Sequence, residues 1–195
     1  MKLIKFTILF LLSQAVYSQN EDKILIQNFY ECCEAGNSKA YESVKAGKEL
    51  LDTKQYYRSL KKFSKALKKD PDYCDAWYLV GYCHQRIGYY EKSIEACDQS
   101  LNIYPDNPSA LLIKANSLFL MNDTSTAVEL FKKTKDIIPD KIDAYYGLAL
   151  MFHLKGKNED AARILLEMGK NNVITKDFRD NRKIKNLKKK LNLVE

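Results

Sequence analysis

The stretch from Trp77 to Pro105, WYLVGYCHQRIGYYEKSIEACDQSLNIYP, decides how the chain is read. It holds the only Trp, five Tyr, two Cys, His84, and a glycine, Gly81, inside what otherwise reads as a helix. Such crowding fits either a binding or catalytic site or one unit of a packed repeat, and spacing chooses between them. Pro105 is the middle of three prolines, Pro71, Pro105 and Pro139, that lie 34 residues apart. Aligned on them, the chain divides into units 40–73, 74–107, 108–141 and 142–175. Place eight then reads Gly47, Gly81, Ala115 and Ala149, and place twenty reads Ser59, Ser93, Ala127 and Ala161, all small. Place eleven holds Leu50, His84, Leu118 and Phe152; place twenty-four holds Phe63, Cys97, Phe131 and Leu165.

Agreement in step at a fixed period is the signature of a stacked repeat. The spacing predicts two helices per unit, for instance 74–87 and 90–103, with Gly88 at the break. Small residues at places eight and twenty let the two helices approach, and larger ones at eleven and twenty-four fill the groove beside that contact. The proline ends the second helix and starts the turn into the next unit. A lone helix pair cannot bury its apolar face, so the units stack. The expected fold class is all-α, a helix-turn-helix repeat solenoid of about four repeats with flanking terminal helices.

The pattern resembles the tetratricopeptide repeat family, whose signature runs W-x2-L-G-x2-Y and then A, F, A and P. Here the second unit gives Trp77, Val80, Gly81, His84, Ser93, Cys97, Ser100 and Pro105. The first gives Gly47, Leu50, Ser59, Phe63, Ala66 and Pro71, and the third Ala115, Leu118, Ala127, Phe131 and Pro139. The fourth gives Tyr145, Leu148, Ala149, Phe152, Ala161 and Leu165, but has Met168 where a small residue is expected and Val173 in place of proline. Those departures suit a terminal repeat. The resemblance covers 40–170 and implies a right-handed superhelix.

The ends differ from the body. Residues 1–18, MKLIKFTILFLLSQAVYS, place Lys2 and Lys5 before a short apolar run, with Val16 and Ser18 set for cleavage after Ser18. This is the layout of a signal peptide, and its apolar core is too short to span a bilayer, which takes about 20 residues. The expectation is export to a periplasm or the exterior of what reads as a bacterial cell; an uncleaved anchor is the alternative. Residues 19–39 are expected to form a helix covering the first repeat, through Leu25, Phe29 and Cys32. Residues 176–195 read as a basic capping helix with Phe178, Ile184, Leu187 and Leu191 at helical spacing. From Lys170 onward nine cations face three acids, whereas 19–169 carries 21 basic and 22 acidic groups, so the net +7 is not a nucleic-acid-binding body. The five cysteines, Cys32, Cys33, Cys74, Cys83 and Cys97, show no zinc spacing. Export permits disulfides, but most of the cysteines read as small buried groups, and their pairing stays open.

No catalytic set emerges. The two histidines, His84 and His153, fall on repeat places, and no HExxH, Gly-x-Ser-x-Gly or phosphate loop occurs. No enzyme activity, metal or cofactor is expected. What remains is a surface. The resemblance implies that first helices line a concave face through places two, five, nine, twelve and thirteen. The candidate partner-binding residues are Tyr78, Tyr82, Leu112, Asn116, Tyr146, Leu150, Arg86 and Lys48, beside Asp75, Ser109, Gln85, Phe119 and Leu120. Asn116 can donate and accept toward an extended peptide, and tyrosines give broad contacts at low entropic cost. The competing reading is that these groups cover one another, or that the chain's own terminal helix fills the face. The family's two-carboxylate clamp for chaperone tails cannot form, because its places hold Val44, Lys48, Leu79, Ser109 and Ile113. The expected function is a non-enzymatic module that scaffolds or chaperones a partner protein. The alternatives are a regulatory subunit of an envelope enzyme complex, or an adaptor to anionic membrane surfaces through Lys188, Lys189 and Lys190.

Overall fold

A computed structural model describes residues 32–33, 35–139, 142–170 and 182–192. The proposed signal peptide, Leu25, Phe29, Val173 and Phe178 lie outside the described residues. Eight helices form four consecutive pairs: α1 Ser38–Asp52 with α2 Tyr56–Leu67, α3 Cys74–Ile87 with α4 Tyr90–Ile103, α5 Pro108–Leu120 with α6 Thr124–Ile137, and α7 Ile142–Leu154 with α8 Asn158–Lys170. A ninth, α9, spans Arg182–Lys190. Among the described residues there is no strand. The pairs follow the 34-residue period, and in the second unit both helices keep the limits that the spacing predicts.

The turn inside each pair has one recurring feature. Place fifteen is left-handed in all four units: Lys54 (φ 57°), Gly88 (φ 94°), Asn122 (φ 66°) and Gly156 (φ 75°). A left-handed residue lets the chain leave one helix and enter the next, and glycine or asparagine does this at least cost. Lys54 is the exception. The starts of α5 and α6 are capped by side chains: Asn107 Oδ1 accepts from Ser109 N and Ala110 N at 3.1 and 3.2 Å, and Asp123 Oδ1 accepts from Thr126 N at 3.2 Å.

The small positions make close contacts, as expected. A Cβ on Gly47 would sit 2.3 Å from the Phe63 ring, and one on Gly81 would sit 2.7 Å from Cys97 Sγ and 3.0 Å from the Ser93 carbonyl oxygen. Both contacts lie within one helix pair. Ser59, Ser93, Ala127 and Ala161 are all fully buried, and so are the four residues at place twenty-four. The residues at place eleven are only half-buried, so they seal the edge of the core. Gly147 adds a contact between pairs, since its Cβ would lie 2.5 Å from the ring of Phe131 in the preceding unit.

Neighbouring units are also joined by polar groups. Trp77 Nε1 donates to the Pro71 carbonyl at 2.7 Å, fastening α3 to the turn before it. Gln85 Nε2 donates to Ile113 O at 2.9 Å and Ser117 Oγ at 3.0 Å, and Ser93 Oγ lies 2.9 Å from Ser117 Oγ. At the far end Leu187 of α9 is buried and Leu191 packs beside it, in a cluster with Tyr145, Ala149, Ala161, Leu165 and Met168. α9 packs there against the last pair, and the larger Met168 fills the place taken by Ala66, Ser100 and Thr134 elsewhere.

Candidate functional site

The first helices α1, α3, α5 and α7 carry the candidate residues, but the face they form is not uniform. At place five, Val44, Tyr78 and Leu112 are buried, at 1%, 0% and 2% exposure, while Tyr146 is half-buried. At place nine, Tyr82 is fully buried, while Lys48, Asn116 and Leu150 are half-buried. The expectation that Tyr78 and Tyr82 stand open in a groove is therefore corrected: both belong to the largest core cluster. The Tyr82 ring meets Tyr56 edge-on at 6.4 Å, and the Arg86 guanidinium lies 5.9 Å from the Tyr56 centroid. Tyr56 thus covers from α2 what the repeat register assigns to the face. Gln85 is also withdrawn from the face, into the polar network between α3 and α5. Asp75 and Ser109 at place two are buried as well.

The segment before α1 closes the second unit at its N-terminal end. Cys33 forms a disulfide with Cys74, Cα to Cα 5.8 Å, across 41 positions that include the whole first unit. The Cys32 backbone N–H donates to Asp75 Oδ1 at 3.2 Å. Ligand-type atoms of Cys33, Cys74 and Asp75 lie within 4.8 Å of one another, but the two sulfurs are spent on each other. Burial, and then the Asp75 carboxylate, push the Cys32 thiol up to about 11. Burial alone raises Cys83 and is the main cause for Cys97, so these thiols stay protonated at neutral pH. Sequence spacing carries no signal for the Cys33–Cys74 pair, because it forms only through the stacking of α3 on the first unit.

The remaining chemistry is sparse. Burial and then Lys92 lower the pKa of His84, with Glu95 opposing. His153 Nδ1 lies 2.9 Å from Asn158 Oδ1 across the turn between α7 and α8. A shallow cleft of about 230 Å³ lies between α6 and α8, with Leu148 and Phe152 at its floor and Lys132, Lys135 and Arg163 around it. Those cations are already paired: Lys132 with Glu129 at 3.0 Å, Lys135 with Glu167 at 2.7 Å, and Arg163 with Asp160 at 3.1 Å. The candidates that keep surface are Lys48, Arg86, Asn116, Tyr146 and Leu150, with Phe119 and Leu120 beside them on α5. Among the described residues, no helix is long and apolar enough to cross a membrane.

Residues 74–107 match the tetratricopeptide repeat family. The TPR repeat-containing protein MJ1428 of Methanocaldococcus jannaschii is 27% identical over 144 residues, which are 73% of this chain and 25% of that protein. The chain thus spans about a quarter of that relative's length. Among solved structures, TTC0263, a thermophilic TPR protein of Thermus thermophilus, superposes with a TM-score of 0.66 at 16% identity, over 79% of this chain and 84% of its own. A crystal structure of MamA gives 0.63 at 20% identity, over 70% and 80%. The first TPR of Spaghetti (RPAP3), bound to the HSP90 peptide SRMEEVD, gives 0.58 at 13% identity, over 60% and 94%. At these identities the likeness is one of fold. In this chain Val44, Leu79, Ser109 and Ile113, at the places a chaperone-tail clamp needs, are all buried.

Proposed function

Since this chain is a tetratricopeptide-repeat protein, we propose that it is an exported, non-enzymatic module that holds a peptide segment or helix of a partner protein on the first-helix face of its last two repeats. The fold supports protein–protein interaction in general. The observation that carries the narrower reading is the retained surface of Asn116, Tyr146 and Leu150, where the equivalent places of α3 are closed. Asn116 supplies an amide for a bound backbone, and Leu150 beside Tyr146 supplies apolar contact.

The test is crosslinking in intact cells followed by quantification of one captured partner with purified chains. Asn116→Ala with Leu150→Glu should weaken that partner by at least about tenfold, as loss of an interface anchor does. Undiminished binding by this variant would remove the face from consideration. Export rests on residues 1–18, and N-terminal sequencing of the protein recovered from cell fractions checks it. A chain that begins at Gln19 outside the cytosol is expected; a cytosolic chain that still begins at Met1 would reject export.

A further inference from the structure

Charge averaged over residues 19–169 conceals a segregation inside it. From Thr53 to Lys69 there is no acid, and there are seven cations: Lys54, Arg58, Lys61, Lys62, Lys65, Lys68 and Lys69. Most of this run is α2 and its C-terminal turn. Ser59, Phe63 and Ala66 face the core, while Arg58, Lys61, Lys62, Lys65 and Lys68 are exposed on the outside. Arg58, Lys61, Lys65 and Lys68 follow one another at steps of three and four, so they form a single stripe.

Among the described residues, no carboxylate neutralises that stripe. Among the described residues Lys61, Lys62, Lys65 and Lys68 form no ion pair, and Arg58 bonds only to the neutral Gln55 side chain. The outer cations of α6 and α8 are treated differently. Lys132, Lys133, Lys135 and Arg163 each have a carboxylate within 3.1 Å, on their own helix or on another unit. Like charges three and four residues apart destabilise a helix. A helix that repels itself on one face, with no balancing acid among the described residues, is suited to an external anion.

We propose that the outer face of α2 docks the protein on an anionic membrane leaflet. Six of the seven cations are lysine, which is depleted at protein–protein interfaces. Arginine, the residue suited to fixed bidentate recognition of phosphate, occurs once. Flexible lysines on the outside of a helix suit headgroups that rearrange, and clusters of four to eight such cations mark recognition of anionic lipid. Tyr57, 63% exposed, begins the same face, and Tyr89, itself 48% exposed, lies near it at the start of α4. Tyrosine is favoured at the headgroup level. At the end of α9, among the described side chains, Lys188 is half-buried and Lys189 and Lys190 are exposed, a shorter run than that of α2. This face is separate from the one proposed for a protein partner, so either can fail alone.

The test is co-sedimentation of the chain from Gln19 onward with vesicles of phosphatidylcholine alone or mixed with phosphatidylglycerol. Binding should require the anionic lipid and fall as salt rises. At about fivefold per lysine, Lys61→Gln, Lys62→Gln, Lys65→Gln and Lys68→Gln together should weaken it by roughly 600-fold. The four corresponding Lys→Arg changes should preserve it, and helical circular dichroism reports whether each variant is folded. Lys132→Gln with Lys133→Gln should change little. Several results would overturn the proposal: equal binding to neutral vesicles, retention by the folded glutamine variant, or loss only when Lys188, Lys189 and Lys190 are replaced. Binding to duplex DNA or polyglutamate without binding to anionic vesicles would do the same.

Discussion

The second and fourth repeats present the same two places of their first helix to the same side of the solenoid, with opposite results. In α3, Tyr78 and Tyr82 have no exposed surface; in α7, Tyr146 and Leu150 keep part of theirs. Residue size does not explain this, because tyrosine stands at place five in both. What differs is the surroundings. The second repeat has Tyr56 across it and the Cys32–Cys33 segment bound to Cys74 and Asp75 at its start. The lesson is that a repeat register fixes the direction of a side chain, while its neighbours decide whether that direction is core or surface.

The largest expected effect follows directly. Tyr82→Ala should cost about 3–5 kcal/mol in urea unfolding, the range for emptying a buried aromatic site. Leu150→Ala, at the same place two repeats on, should cost less than half of that, because part of its side chain is already in water. Equal losses would erase the distinction between a closed and an open end. Next comes the tether. By loop-closure entropy, a disulfide across 41 positions stabilises by up to ~4 kcal/mol. Cys33→Ser should therefore lower stability by about 2–4 kcal/mol. Its signature should be local: faster amide exchange in α1 and α3, with α7 and α8 little changed. A uniform rise in exchange would mean that the two ends are not separate in stability.

A smaller effect tests the contact that holds the open end together. Gly147 lies under Phe131, which is 1% exposed, and a Cβ there would meet its ring at 2.5 Å. Gly147→Ala should destabilise by about 1–3 kcal/mol through overpacking. Phe131→Leu should restore part of the loss in the double variant, since the two residues touch. If the two effects simply add, the contact is not where the cost arises.

Much of this was legible in the sequence. The prolines and the small places identify the helix pairs, because close packing forbids large residues wherever the period recurs. Gly147 was not, because it packs between units and its counterparts, Lys45, Leu79 and Ile113, are not small. The closure over Tyr78 and Tyr82 was hidden for a related reason. Tyr56 and Cys33 are close to α3 only in three dimensions: Cys33 precedes the first unit, and the place of Tyr56 holds Tyr90, Thr124 and Asn158 in the later ones. The uncompensated lysines of α2 were visible as letters, but an average over the whole body cancelled them against acids in other units.

The smallest effect concerns place fifteen, where the two ends again differ. Gly156 makes the left-handed turn between α7 and α8 at φ 75°, with nothing within 4 Å of where a Cβ would be. Lys54 makes the corresponding turn between α1 and α2 at φ 57° with a side chain attached. A left-handed backbone costs a non-glycine residue about 1 kcal/mol. Exchanging the residues should therefore move stability in opposite directions: Lys54→Gly should add up to about 1 kcal/mol, and Gly156→Lys should remove about as much. The entropy of a more flexible unfolded chain opposes the first change and offsets part of the second, so both shifts should fall below the strain alone. Urea midpoints of the two variants, measured beside the parent chain, give the comparison. Stabilisation by Gly156→Lys would show that the turns are not equivalent despite their shared place.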